Sequence, residues 1–395
     1  MAQAPTLVIM VAGDDRPGLT TRLFDTLAMP GVEVLDAEQV LVRGHLTLGV
    51  LVSVDGTGTV AVTAAVAAFA QRHGLSCKVV PGTGDATTQR GGELHVAVLG
   101  RPLLPGAVSA VTAKLAEQGA NIDRIRRLSA DPVTTIELDV SGVTDLRQLR
   151  RDLTATATEQ GIDVAVSPAG LARHGRRLVV LDVDSTLIRD EVIELLAERA
   201  GARERVAAIT ERAMRGELDF AASLHERVAT LAGLPEGVFD DVRAAVRFTP
   251  GAQTMTRTMQ RLGYTLALVS GGFHQVIDPL ATGLGIRHVL ANRLEVRDGR
   301  LTGRVSGPVV DRQAKADALR RFAAEENLPM SRTVAIGDGA NDLDMLAAAG
   351  LGIAFNAKPV VAAQADAAVT LPYLDSVLFL LGLTREEIAE ADELR

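Results

Sequence analysis

The hydrophobic pattern changes character once along this chain. In residues 6–80, TLVIMVAG, VEVLDAEQVLV, LTLGVLVSV and LSCKVVP read as strands. Residues 19–29, with Leu19, Leu23 and Leu27 four apart, and the Ala-rich residues 60–73 read as helices. DDRPG, residues 14–18, is a turn, because Pro fixes φ and Gly admits φ > 0. The order is βαββαβ. The polar, Gly- and Thr-rich stretch PGTGDATTQRGG, residues 81–92, is a linker. The same order then returns: strand ELHVAVLG, turn RPLLPG, helix AVSAVTAKLAEQG, strands IRRLSA and TTIELDVSG, a helix over 146–160, and strand IDVAVSP. One order used twice in tandem predicts a repeat of two ferredoxin-like sandwiches, at residues 1–85 and 93–168.

From residue 171 to 395 the strands RRLVVLD, YTLALVS, TVAIGD, LGIAF and DAAVTL are nearly continuous apolar runs separated by helical stretches. Strands without alternation are buried on both faces. They predict an α/β block: a three-layer, Rossmann-like, mostly parallel sheet. A helical insertion, residues 192–246, follows the first strand, and Asp298-Gly299 inside residues 292–305 signals a hairpin.

Composition narrows the functional classes. The 395 residues exceed one ordinary core, and 47% apolar with 23% charged residues is usual for a globular protein. A net charge of −8, 3% aromatics and no Trp argue against nucleic acid and anionic membrane as partners. Cys77 is alone, so it forms no internal disulfide and fits no zinc cluster; it is expected to be a small buried apolar residue. MAQAPTLVIM lacks the build of a signal peptide, and no run of apolar residues is long enough to span a membrane, so the cytoplasm is the expected location.

Acids stand where buried strands end. LVVLDVDSTLI, residues 178–188, closes on Asp182 and Asp184; YTLALVS runs into Ser270 and Gly271; TVAIGD runs into Asp338, Asn341 and Asp342. Lys315 lies near the start of a helix before that third strand. In an open parallel sheet, ligands bind beyond these carboxyl ends. Asp182 and Asp338 offer hard oxygens that suit Mg²⁺, while Ser270, Gly271 and Lys315 offer a hydroxyl, an unobstructed amide and a charge for phosphate oxygens. One carboxylate can attack phosphorus and its neighbour can move protons.

These motifs, DVDSTLI, SGG, Lys315 and GDGANDLDM, resemble the haloacid dehalogenase superfamily of phosphohydrolases. With Glu191 and AMRGELDFAASLHERV, residues 213–228, the block is similar to the phosphoserine phosphatases in that superfamily, and the front modules resemble ACT domains. The resemblance implies Mg²⁺-dependent hydrolysis of O-phospho-L-serine through an aspartyl-phosphate, the last step of L-serine biosynthesis. It makes residues 191–248 a helical cap. It implies Asp182 as nucleophile and Asp184 as acid/base, with Mg²⁺ held by Asp182, Asp338 and the backbone carbonyl of Asp184. Ser270, Gly271 and Lys315 would hold phosphate, with Asn341 nearby and Asp342 supporting the Lys. Glu191 would bind the substrate ammonium, Arg227 its carboxylate, and Met214 and Phe220 would close over the site.

An amino-acid head needs one group of each sign, which suits Glu191 and Arg227; the same two residues would also make an ordinary ion pair on a solvated helix face. In ACT domains, the first turn contacts an amino-acid ligand. Asp15 and Gly18 would then take L-serine as an effector. GRPLLPG in the second module lacks the acidic pair but keeps Gly106, while Asn121 and Asp123 offer polar groups at the opposite edge. Open ACT sheet edges imply a homodimer. Two other activities stay open: a related phosphotransferase or protein phosphoserine phosphatase, and an amino-acid sensor with a vestigial catalytic block.

Overall fold

The structure, a computed structural model, describes residues 5–55, 58–83, 94–169, 175–215 and 217–393. Most of the 81–92 linker therefore lies outside the described residues, as does the side chain of Met214. The chain divides into two compact units, Met1–Arg90 and Gly91–Arg395.

The first unit is β1 (Pro5–Asp14), α1 (Leu19–Leu27), β2 (Val32–Val42), β3 (His45–Val54), α2 (Gly58–His73) and β4 (Ser76–Thr83). Its antiparallel sheet has the order β2-β3-β1-β4. Leu7, Ile9 and Val11 alternate inward from β1 to meet Leu19, Leu23 and Leu27 of α1 and Val62, Val66 and Phe69 of α2. Cys77 departs from expectation: it sits on the edge strand β4 and is exposed, because among the described residues no strand pairs beyond that edge.

The second unit opens with β5 (Leu94–Gly100), α3 (Pro105–Glu117), β6 (Asn121–Ser129), β7 (Thr134–Ser141), α4 (Leu146–Gln160) and β8 (Asp163–Pro168), in the order β6-β7-β5-β8. After it come β9 (Leu178–Leu181), α5 (Val192–Arg199), α6 (Arg203–Met214), α7 (Phe220–Ala229), α8 (Val238–Ala245), α9 (Ala252–Arg261), β10 (Thr265–Phe273), α10 (His274–Gly283), β11 (His288–Arg297), β12 (Arg300–Ser306), α11 (Arg312–Glu325), β13 (Thr333–Gly337), α12 (Leu343–Ala348), β14 (Leu351–Phe355), α13 (Pro359–Ala362), β15 (Ala367–Val369), α14 (Ser376–Leu380) and α15 (Arg385–Glu393).

Among the described residues the large sheet has seven strands in the order β12-β11-β10-β9-β13-β14-β15, parallel except for β12. The hairpin therefore extends the sheet, with β11 parallel to β10. Val179 and Leu181 face one buried cluster, Leu178 and Val180 the other, which is the three-layer arrangement that continuous apolar strands predict. The insertion α5–α8 leaves and rejoins at adjacent points: Ile188 bridges Phe248, and the Arg189 N–H donates to the Arg247 carbonyl at 2.9 Å.

The second module is welded to the large sheet by its own outer face. Ala97, Leu99, Leu128 and Ala165 share one buried cluster with Leu374, Val377 and Phe379. Asp163, 2% exposed, accepts from the backbone N–H and the hydroxyl of Thr370. Arg150 pairs with Asp366 at 2.7 Å.

Candidate active site

β9, β10 and β13 end side by side, and their carboxyl ends open into a cavity of about 780 Å³. Asp182 follows β9 and is buried; its N–H donates to the Ile336 carbonyl of β13 at 2.9 Å. The chain then turns sharply, with Ser185 at φ 57°, which lets the Ser185 hydroxyl donate to Glu191 at 2.8 Å. Asp184 accepts from the Val192 N–H at 2.7 Å and from the Ser270 hydroxyl at 2.9 Å. A side chain on Gly272 would meet Asp184 at 2.8 Å and Ser270 at 3.0 Å, so this loop needs its glycine.

Lys315, in the first turn of α11, is fully buried and reaches both Asp182 at 2.6 Å and Asp342 at 2.7 Å. The helix starts there because the Asp311 side chain caps it by accepting from the Ala314 N–H at 2.8 Å. Asp342 also accepts from the Gly339 N–H at 3.0 Å. Asp338 accepts from the Thr186 hydroxyl at 3.2 Å.

One lysine faces several carboxylates, and the titration directions follow. Burial raises Asp182 well above the usual range, with repulsion from Asp342 adding to it and Lys315 opposing it. Burial raises Asp338 to about 6, with Asp342 adding and Thr186 opposing. Burial also raises Asp184, against the bonds from Val192 and Ser270. Glu191 reaches about 7 through burial and the nearby Asp184. Burial alone would lower Lys315, but Asp182 and Asp342 hold it above its usual value.

Carboxylate oxygens of Asp182, Asp338 and Asp342 lie within 4.8 Å of one another. Hard oxygens crowded together and short of positive charge are a donor set for a divalent cation, so these residues fit one. A second group, His95, Glu137 and Asp139, occupies the second module's sheet, but Arg126 already binds the Glu137 carboxylate through two nitrogens. That group is an ion-pair network.

The cap supplies the other wall. Glu191, Phe220 and Arg227 line the same cavity as Asp182, Gly271 and Asn341. Burial lowers Arg227, with Glu191 and Asp184 opposing. Arg227 bonds the Ser223 carbonyl at 3.3 Å, and among the described residues no ion pair joins it to Glu191. Phe220 stands against the Ser270–Gly272 loop: a side chain on Gly271 would meet its ring at 3.3 Å. Met214 ends α6, and its side chain lies outside the described residues. Asp15 and Gly18 sit on the exposed first turn of the other unit, where Gly18 caps α1 at φ 86° and the Asp15 N–H donates to the Gly44 carbonyl at 2.7 Å.

Asn356 and Lys358 also line the cavity, and sequence reading passed over them. They follow β14, and the rule of strand carboxyl ends, applied to LGIAF, points to them. Thr186 and Ser185 were visible only as part of DVDST; their bonds to Asp338 and Glu191 depend on the turn.

Fold and site together define a haloacid dehalogenase-like hydrolase with two ACT domains. The family model described as haloacid dehalogenase-like hydrolase matches residues 179–347, and two described as ACT domain match 94–167 and 5–80. The chain is 54% identical to the phosphoserine phosphatase of Streptomyces coelicolor, covering 100% of this chain and 96% of that protein. It is also 54% identical to that of Mycobacterium tuberculosis, covering 98% and 95%. A crystal structure of a probable phosphoserine phosphatase from Vibrio cholerae superposes with a TM-score of 0.57 at 33% identity, covering 76% of this chain and 88% of that one. The chain belongs to the phosphoserine phosphatase family.

Proposed function

We propose that this cavity hydrolyses O-phospho-L-serine to L-serine and phosphate with Mg²⁺, closing L-serine biosynthesis. The observation that carries this reading is the sharing of one cavity by Glu191 and Arg227, opposite in sign, with Asp182 and Asp184. A phosphate ester by itself needs neither; a zwitterionic head uses both.

In this mechanism Ser270, Gly271 and Lys315 grip the phosphate, and Asn341 adds a polar contact beside it. The Asp182 carboxylate attacks phosphorus. The bond from phosphorus to the seryl oxygen breaks, and Asp184, whose burial favours its protonated form, gives that oxygen a proton. Asp184 then takes a proton from the water that attacks the aspartyl-phosphate, and Asp182 leaves as a carboxylate. Asp182, Asp338 and the Asp184 carbonyl would hold Mg²⁺, which supplies positive charge for phosphate oxygens approached by an anion. Asp342 keeps Lys315 aimed at Asp182. Phe220 closes the cavity, and removing water strengthens every charge interaction inside.

The intact Lys315–Asp182–Asp342 arrangement supports an active catalytic block over a vestigial one. Glu191 and Arg227 in one cavity support a free phosphoamino acid over a phosphoprotein, whose seryl nitrogen and carbonyl are tied up as amides; a hydroxyl acceptor other than water is separated from water by labelled-phosphate competition. We further propose a cytoplasmic homodimer joined through ACT edges. β2 is an eleven-residue edge strand with Val34, Val40, Leu41 and Val42 exposed, which supports a partner strand. L-Serine is the proposed effector at Asp15 and Gly18.

A phosphate-release screen over small phosphomonoesters, with Mg²⁺ and with chelator, tests the activity. Asp182→Asn should lower turnover at least about 10³-fold, because no nucleophile replaces it. Arg227→Ala should cost phosphoserine roughly 10²-fold in kcat/KM while generic esters lose little. Equal losses on both substrates would remove the recognition role.

A further inference from the structure

The ladder between β10 and β11 is regular up to Val269 and resumes only at Phe273, which pairs with Asn292. The break covers Ser270, Gly271 and Gly272, the loop that faces the phosphate in the proposed reaction. A break of this kind strips backbone groups of their ladder partners, and buried ones must find others.

Asn292 supplies what the break removes. Its side chain is 1% exposed, and both ends are used. Nδ2 donates to the Gly271 carbonyl at 2.8 Å, and Oδ1 accepts from the Val310 N–H at 2.8 Å. Val310 immediately precedes Asp311, the cap of the helix that carries Lys315. On the loop side, the Gly272 N–H donates to the Ser270 hydroxyl at 2.7 Å, and that hydroxyl donates to Asp184. One buried amide therefore stands between two things that must converge on a single ligand. Fixing the Gly271 carbonyl fixes the peptide plane it shares with the Gly272 N–H. Fixing Val310 fixes the base of α11.

We propose that Asn292 is a positioning residue that holds the Ser270–Gly272 loop and the Lys315 helix at the separation needed to grip a phosphate dianion. This rests on the phosphatase reading of the site, but on its phosphate half alone. Among the described residues, those lining the cavity do not include Asn292, which acts through Gly271 and Val310.

Gln275 is a natural control. It also uses both ends of its amide, but on a single residue of β11: Nε2 donates to the Leu294 carbonyl at 2.7 Å, and Oε1 accepts from the Leu294 N–H at 3.3 Å. It ties α10 to β11 without reaching the loop.

The test is binding of inorganic phosphate to the Mg²⁺-loaded full chain by calorimetry, with KM and kcat for O-phospho-L-serine and the unfolding midpoint measured alongside. Asn292→Leu keeps the shape and removes both bonds; Asn292→Ser, smaller, guards against failure to fold. Whichever folds should weaken phosphate binding roughly tenfold and raise KM by a similar factor, with a smaller change in kcat. Gln275→Leu should change phosphate binding by less than about twofold, even where its unfolding midpoint falls as far. Unchanged phosphate binding in the Asn292 variants, or equal weakening in Gln275→Leu, overturns the proposal. Because phosphate binding needs no turnover, a chain that binds phosphate but leaves phosphoserine intact would sink the substrate assignment and leave this inference standing.

Discussion

The two ACT modules have one topology and opposite surroundings. The order β2-β3-β1-β4 in the first repeats as β6-β7-β5-β8 in the second. In each, the inner face of the first strand packs on two helices. The outer faces differ. Val8 and Met10 on β1 are 40% and 37% exposed, whereas Ala97 and Leu99 on β5 are buried in the catalytic block's core. The second module has thus become part of the wall of the enzyme, and the first keeps an apolar face and edge available. The sandwich is the same in both modules; what covers it sets the outer face separately in each.

The sharpest way to break this comparison is to truncate one large outer-face residue in each module. Leu99→Ala should destabilise the chain by about 3–4 kcal/mol, since it opens a cavity in a shared core; Met10→Ala should cost less than about 1. Equal shifts in urea unfolding midpoints would mean the outer faces are equally covered.

A somewhat smaller effect belongs to the junction's buried carboxylate. Burial raises Asp163 to about 6, against the bonds from Thr370. A raised acid favours the fold while protonated. Its contribution is complete below the ordinary value of 3.8 and is lost as pH rises through about 6. The swing is about 3 kcal/mol at most. Asp163→Asn should flatten the stability profile between pH 4 and 7, and an unaltered slope would show that the junction is wetter than its 2% exposure implies.

The smallest structural effect is expected at the first module's turn. Asp15→Ala should leave the unfolding midpoint within about 0.5 kcal/mol of the parent, because the side chain is exposed. Calorimetry with L-serine is the readout: binding that survives the change would clear this turn of an effector role.

Much of the architecture was legible because it rests on local periodicity. Leu19, Leu23 and Leu27 announce α1, and unbroken apolar runs announce strands covered on both sides. The strand-end acids were legible for a related reason: charge at the end of a buried strand has no packing use. Cys77 misled because apolar character predicts burial only where something covers the strand, and β4 is an edge. Asn292 gave no signal, since its partners Gly271 and Val310 lie 21 and 18 residues away.

Sequence by itself determined the element order, the repeated module, the strand-end acids and the family. Tertiary structure alone decided which outer face became core, that Glu191 and Arg227 look into one cavity, that Asn356 and Lys358 join its wall, and that one asparagine bridges a broken ladder. The physical reason is range. Dihedral preference and period are properties of neighbours along the chain, whereas burial and hydrogen-bond satisfaction are settled by atoms that only folding brings near.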